Sequence, residues 1–122
     1  MSKQNFKLIS YAIIALLVFV LFKNNFAQTD NTALKKAIKN GAFLVDVRTP
    51  QEFSSGSVKG AVNIPLSEIT QRISEFKGKK NIVVFCRSGN RSTQAKNILE
   101  QNGIKNVING GPWQNVNQIV NP

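Results

Sequence analysis

The segment that most limits the fold is "IVVFC", residues 82–86, an unbroken apolar run that follows Asn81. A strand with one solvated face alternates apolar and polar side chains, whereas an unbroken apolar run is typical of a strand buried on both faces. Strands of that kind occur in parallel sheets that helices cover on both sides. The run therefore predicts a central strand over residues 81–86 and an α/β fold around it.

Shorter apolar runs and amphipathic segments alternate along the rest of the chain, as expected for a parallel sheet with helical connections. Further strands are predicted over residues 42–47, 61–64 and 106–110. Helices are predicted over residues 31–41, 49–53, 66–76, 91–103 and 112–120. Ser67 is the expected N-cap of the third helix. The pattern predicts a three-layer α/β sandwich, with a mostly parallel sheet of four to five short strands flanked by helices.

The first 28 residues are expected to lie outside this domain, which would span residues 29–122. An uncharged apolar stretch, residues 8–22, follows a short basic segment and ends at Lys23. This layout is typical of a secretory signal peptide or an N-terminal membrane anchor, and the stretch is short for a hydrocarbon core of roughly 30 Å. Both alternatives stay open. Either one predicts an exported domain, most simply in a bacterial periplasm or, if the segment is not cleaved, anchored to the inner membrane and facing the periplasm.

The charge balance narrows the range of partners. The formal charge is +10, from 16 basic and 6 acidic residues. Without Lys3, Lys7 and Lys23, thirteen basic residues remain against six acidic ones, a balance of +7. Such a balance suggests a small anionic substrate, an anionic membrane surface, or simply a solvated surface with no particular partner. Nucleic acid is not expected as a partner, because the lysines are scattered along the sequence and an exported domain rarely meets nucleic acid.

Cys86 is the only cysteine of the chain, and there is no histidine. An intrachain disulfide is therefore impossible. Hydrolases of the Cys-His and Ser-His-Asp types are excluded because both need an imidazole base, and the usual zinc sites are excluded for the same lack of histidine. We expect no metal and no cofactor, so any chemistry would depend on a thiolate that is activated without histidine.

The loop "CRSGNRS", which begins at Cys86, has the composition of an anion-binding site. Gly89 permits a backbone conformation that a side chain would penalise, so successive N–H groups can turn inward as a nest. The predicted helix that follows directs the positive end of its dipole into the loop, and Arg87 and Arg91 add full charges. Because all of these favour the thiolate, Cys86 is predicted to be a nucleophile with a pKa below the usual value of about 8.5.

Four segments, in order along residues 31–120, resemble the signatures of the rhodanese-like sulfurtransferases. They are "DVRTPQEF" (46–53), "GSVKGAVNIPL" (56–66), "CRSGNRS" (86–92) and "NVINGGPW" (106–113). Together with the N-terminal segment, they make the chain most similar to the small exported single-domain members of the phage-shock type. The resemblance implies the rhodanese-like three-layer fold. In the second segment Ser57 stands where the family usually has a histidine, and we expect it to serve packing.

The resemblance also implies an activity, that of a thiosulfate sulfurtransferase with Cys86 as the catalytic residue. Cys86 would take sulfur from a small anionic donor such as thiosulfate, become a persulfide, and pass the sulfur to cyanide, a small thiol or a protein thiol. The substrate-binding residues would be those of the loop: Arg87, Ser88, Gly89, Asn90, Arg91 and Ser92. Asp46, Arg48 and Glu52 would brace the site, with Arg48 paired to Glu52.

Three other functions compete with this one. A phosphatase or arsenate reductase of the same fold places five residues between its cysteine and arginine. Only four residues separate Cys86 from Arg91 here, and the shorter loop suits a single sulfur atom better. A non-catalytic rhodanese-like binding module commonly lacks the cysteine. A persulfide carrier or sensor for a partner protein would use the same Cys86 chemistry, and the sequence does not separate it from an enzyme.

Overall fold

A computed structural model describes residues 10–18 and 31–122 of the protein. The chain divides into two compact units, Met1–Asn31 and Thr32–Pro122. In the first unit, residues 10–18 are helical. The other positions of the predicted apolar segment lie outside the described residues, as does the predicted boundary between residues 28 and 29. Within the described ranges, no helix combines the length and the hydropathy that a membrane crossing needs.

The second unit is built on a sheet of four parallel strands, with the spatial order β2-β1-β3-β4 in the described part of the chain. The strands are β1 (Phe43–Asp46), β2 (Val62–Asn63), β3 (Ile82–Cys86) and β4 (Val107–Pro112). The α/β fold predicted from the sequence is confirmed, because helices flank this sheet. The strand that "IVVFC" predicted is central, and all five of its residues are buried.

Helical segments connect the strands, as parallel pairing requires. The α-helices are α1 (Asn31–Lys39), α2 (Pro50–Ser54), α3 (Asn90–Gln101) and α4 (Trp113–Val120). The predicted helix over residues 66–76 is instead a pair of 3₁₀ helices, Leu66–Glu68 and Thr70–Phe76. The predicted cap at Ser67 was wrong. Pro65 occupies the N-cap position and makes no side-chain hydrogen bond there, and Arg72 has non-helical angles inside the second 3₁₀ helix.

The three-layer arrangement follows from the alternation of side chains along β3. Ile82, Val84 and Cys86 belong to a core that includes Leu99 of α3, whereas Val83 and Phe85 belong to a core on the other face. The second core is completed by apolar side chains of α1 and α4, such as Leu34, Ala37 and Val116. Each fully buried aliphatic or aromatic side chain contributes about 1.5–3 kcal/mol, and β3 places such side chains in both cores.

This topology fixes where polar groups can converge. β1 ends at Asp46 and β3 ends at Cys86, and the two strands are paired in parallel with Asp46 opposite Phe85. The carboxyl ends of the strands therefore meet at one edge of the sheet, where α/β proteins bind their ligands. We call this the carboxyl edge and the opposite side the amino edge.

Candidate active site

Cys86 lies at the carboxyl edge, at the end of the central strand, and only 1% of its surface is exposed. The loop after it is short, because α3 begins at Asn90. Gly89 is the N-cap of α3 and has φ +97°, a conformation in which L side chains are strained. The turn at Gly89 lets the chain reverse within three residues and directs the start of α3 at the sulfur.

Two backbone N–H groups converge on the Cys86 sulfur. The amide of Gly89 lies 3.0 Å from Sγ and that of Ser92 lies 3.4 Å from it. The thiol in turn donates to Ser92 Oγ at 3.5 Å. The predicted nest is therefore present, and α3 adds the positive end of its dipole to the same point.

Burial and hydrogen bonds act in opposite directions on the pKa of the Cys86 thiol. Burial alone raises the pKa of Cys86, and it is the largest single influence. The hydrogen bonds from Ser92, Gly89 and Ser88 act in the opposite direction and together outweigh burial, so the pKa of Cys86 lies below its usual value. Backbone donors thus stabilise the thiolate without an imidazole, which agrees with a chain that has no histidine.

Asn109 of β4 braces this loop, a role that the sequence did not predict. Its Oδ1 accepts hydrogen bonds from the Ser92 hydroxyl at 2.7 Å and from the Gly111 amide at 2.9 Å. Its Nδ2 donates to Thr93 Oγ1 at 2.9 Å. One amide side chain therefore ties the start of α3 to the end of β4, and it holds Ser92 beside the sulfur.

Arg91 forms a bidentate ion pair with Glu52 of α2, with N···O distances of 2.7 and 2.9 Å. Glu52 also occupies the N3 position of a capping box, in which its Oε1 accepts a hydrogen bond from the amide of the N-cap residue Thr49. These hydrogen bonds, with that from Arg91 the strongest, lower the pKa of Glu52 from 4.5 to about 2. The expected pair between Arg48 and Glu52 was wrong, because the capping box turns Glu52 toward α3 and away from Arg48.

Arg48 pairs instead with Asp46, and both side chains are buried. The shortest contact, from Arg48 Nη2 to Asp46 Oδ2, is 2.7 Å, and the same nitrogen donates to the carbonyl of Gly56. Ser57 was expected to serve packing, but its hydroxyl donates to Asp46 Oδ2 at 2.7 Å. The Arg48 guanidinium also lies 5.1 Å from the centre of the Trp113 ring. This polar cluster joins β1 to the loop before β2 and to α4.

The remaining loop residues face solvent. Arg87, Ser88 and Asn90 are exposed, and no acidic residue of the described part pairs with Arg87. Arg87 is therefore the loop cation whose charge is free, whereas the charge of Arg91 is balanced by Glu52. The roles predicted for these residues in substrate binding stay predictions.

Comparisons with known proteins agree with this architecture. A family model described as "Rhodanese-like domain" matches residues 30–111. The chain is 39% identical over 74 residues to thiosulfate sulfurtransferase PspE of Escherichia coli, a match that covers 59% of this chain and 71% of that protein. It is 35% identical over 85 residues to a sulfurtransferase of Allochromatium vinosum, with 70% and 79% covered. The solved structure titled "rhodanese with anions from E. coli" is 38% identical with a TM-score of 0.56, and the match covers 62% of this chain and 91% of that one.

Proposed function

Because the chain belongs to the rhodanese-like domain family, we propose that it is a sulfurtransferase that carries sulfur on Cys86 as a persulfide. The observation that supports this most directly is the convergence of the Gly89 and Ser92 amides on the Cys86 sulfur. The relatives named as sulfurtransferases support the reaction class. The donor and the covalent intermediate are part of the proposal.

In the first half-reaction the Cys86 thiolate attacks the outer sulfur of thiosulfate. A new sulfur–sulfur bond forms to Cys86, the sulfur–sulfur bond of thiosulfate breaks, and sulfite leaves with the bonding electron pair. The product is a Cys86 persulfide whose outer sulfur carries the negative charge. Backbone N–H groups of the loop and the dipole of α3 would stabilise that charge, as they stabilise the thiolate.

In the second half-reaction an acceptor attacks the outer sulfur. Cyanide carbon forms a bond to that sulfur, the bond to Cys86 breaks, and thiocyanate leaves while the Cys86 thiolate is regenerated. A thiolate acceptor would give its own persulfide by the same electron flow. Because each step begins or ends with a thiolate, the low pKa of Cys86 assists both attack and release.

Arg87 is proposed to attract the anionic donor, since it is exposed and its charge is free. We expect Arg87→Ala to raise the KM for thiosulfate more than it lowers kcat. The matched control is Arg72→Ala, which removes an arginine that pairs with Glu75 and belongs to a 3₁₀ helix and not to the loop. Equal KM values for the two variants would remove Arg87 from donor binding.

Intact mass spectrometry of the full chain tests the whole proposal. Incubation with thiosulfate should add the mass of one sulfur atom, the addition should be absent in Cys86→Ala, and cyanide should remove it as thiocyanate. Loading without discharge to cyanide or small thiols would favour the alternative, a persulfide carrier for a partner protein. If neither loading nor thiocyanate is observed, the sulfurtransferase proposal fails and the binding module is favoured.

The place of action is also a proposal. We infer from the basic and apolar pattern of residues 1–23 that the domain is exported. Alkaline phosphatase fused after Pro122 should be active in a bacterial host, because this reporter folds only outside the cytoplasm. A fusion that is produced in full but inactive would contradict export.

A further inference from the structure

The second unit collects lysines at the amino edge of the sheet. In an all-parallel sheet every segment that leads into a strand lies at the same edge, and here each of those segments carries lysine. We call this set the amino-edge lysines: Lys36 and Lys39 before β1, Lys59 before β2, Lys77, Lys79 and Lys80 before β3, and Lys105 before β4. All seven are exposed. Residues that are scattered along the sequence thus become one basic surface.

No carboxylate of the described residues balances this surface by an ion pair. Every acidic side chain between residues 31 and 122 pairs with a basic residue outside the set. The pairs are Asp46 with Arg48, Glu52 with Arg91, Glu68 and Glu75 with Arg72, and Glu100 with Lys96. The acidic side chains between residues 31 and 122 are therefore paired with arginines and Lys96, and none of them forms an ion pair with an amino-edge lysine.

The backbone beneath the charges is held in place. The Asn106 side chain donates to the carbonyls of Lys79 and Lys80, and the Lys79 ammonium lies 4.7 Å from the centre of the Phe43 ring. An open cleft of about 250 Å³ lies between the starts of β1 and β3 and is lined in part by Lys79 and Lys80. The two lysines project from a fixed loop beside a concave surface that can admit an anionic group.

The predominance of lysine over arginine at this surface indicates which class of partner it binds. Lysine carries a compact, strongly hydrated charge on a flexible stem, whereas arginine is suited to fixed bidentate contacts. Protein–protein interfaces are enriched in aromatic residues and arginine and depleted of lysine. A surface of lysines spread over the four segments that lead into the strands fits an extended layer of negative charge better than a shaped protein site. Each such lysine contributes about 1 kcal/mol of attraction near an anionic membrane.

We propose that the amino edge binds the anionic surface of a phospholipid bilayer. Cys86 lies at the other end of β3, and a five-residue strand is roughly 16 Å long, so the carboxyl edge would face away from the lipid. The reactive loop would stay open to soluble donors and acceptors while the domain is held at the membrane. This inference does not depend on the reaction that Cys86 performs.

Co-sedimentation of the full chain with vesicles tests the proposal. One set contains phosphatidylcholine alone and the other contains phosphatidylcholine with phosphatidylglycerol. The N-terminal apolar segment is the same in every sample, so the difference between the two vesicle types isolates the effect of charge. The wild type should bind the anionic vesicles more tightly, and added salt should remove the difference because it screens exposed charges.

Two matched double variants locate the surface. Lys79→Gln with Lys80→Gln removes two amino-edge charges and should weaken binding to anionic vesicles by roughly 30-fold, at about 1 kcal/mol for each lysine. Lys35→Gln with Lys96→Gln removes two charges that do not belong to the amino-edge set, one on α1 and one on α3, and should weaken it only a few-fold. All four side chains lie on the surface, and a thermal melt checks that both variants fold.

Three outcomes would overturn the proposal. Equal binding to neutral and anionic vesicles would show that charge is not used. Equal losses in the two double variants would show that only net charge matters and that the amino edge is not a surface of its own. Binding to polyglutamate as tight as binding to anionic vesicles would assign the edge to an acidic polypeptide instead.

Discussion

Replacing Glu52 with glutamine tests whether the Glu52–Arg91 pair fastens the loop after Cys86 to α2. The change removes the negative charge, but glutamine can still accept the hydrogen bond from the Thr49 amide that completes the capping box. The variant therefore isolates the ion pair from the helix cap. Arg91 is the second residue of α3 and follows the loop directly. Loss of the pair should therefore loosen the part of the chain that holds Cys86.

The size of the effect follows from the geometry of the pair. The fall in the pKa of Glu52 from 4.5 to about 2 sets a ceiling of about 3 kcal/mol, at 1.36 kcal/mol for each tenfold change in acidity. The side chains of Arg91 and Glu52 are 32% and 27% exposed, so water screens much of this energy, and the cap hydrogen bonds account for part of it. We expect a loss of about 1 kcal/mol, near the upper end for exposed pairs.

The sign of the pH dependence is fixed by the same shift. A carboxyl group whose pKa is lowered by folding stabilises the protein above its ordinary pKa, and that stability is lost as the pH falls from 4.5 toward 2. At pH 7 the melting temperature of Glu52→Gln should be about 4–8 °C below that of the wild type. At pH 3 the two proteins should differ less, because the unfolded wild-type chain binds a proton at Glu52 there while the folded protein, with a pKa of about 2, stays mostly ionised.

Thermal unfolding followed by circular dichroism, at steps between pH 7 and pH 3, measures both quantities. Glu68→Gln is the control, since Glu68 makes only a long contact of 3.7 Å with Arg72 and is 48% exposed. It should cost less than about 0.5 kcal/mol. If Glu52→Gln melts with the wild type at pH 7, or if its deficit does not shrink at low pH, the pair does not fasten the loop.

Three further results are expected. Alkylation of Cys86 by iodoacetamide should have a midpoint below the value of about 8.5 for a free thiol, because backbone amides stabilise the thiolate; a midpoint at or above 8.5 would contradict this. Asn109→Ala should lower the free energy of unfolding in urea by about 2–3 kcal/mol, since three hydrogen bonds of about 1 kcal/mol are lost; a loss under 1 kcal/mol would make the brace unimportant. Gly110→Ala should cost about 1–3 kcal/mol in the same assay, because its Cβ would lie 2.6 Å from Val116 Cγ2; an unchanged midpoint would show that α4 shifts at no cost.

The sequence predicts the parts of the fold that depend on local pattern. The apolar run of β3 and the loop composition around Gly89 carry their own signal, and both lie where the pattern indicated. The segment 66–76 shows the limit of such reasoning. Its apolar residues include the pairs Leu66–Ile69 and Ile73–Phe76, each three positions apart, a spacing that suits 3₁₀ as well as α-helical turns. In the folded protein this segment adopts the 3₁₀ form and not the α-helix, and we attribute the difference to tertiary packing.

The ion pairs and the brace of the site could not be predicted in the same way, because their partners are distant in the sequence. Glu52 and Arg91 are 39 positions apart, and Asn109 reaches Ser92 across 17 positions. The spacing of Arg48 and Glu52 suggests a helical pair, but Thr49 is the extended N-cap between them, so only Glu52 belongs to the helix. Side chains of this kind are positioned by the sheet order, which the sequence pattern leaves open.

The near-complete burial of Cys86 has an evolutionary consequence. The residue is the proposed nucleophile, and it is also a member of the core that contains Val84 and Leu99. A descendant that gave up sulfur chemistry would still have to fill this volume, since a smaller or charged side chain would leave a void or an unpaired charge. Lineages of that kind should carry an uncharged residue of at least similar volume here, such as valine, and an aspartate or lysine should mark a fold that has been rebuilt around the change.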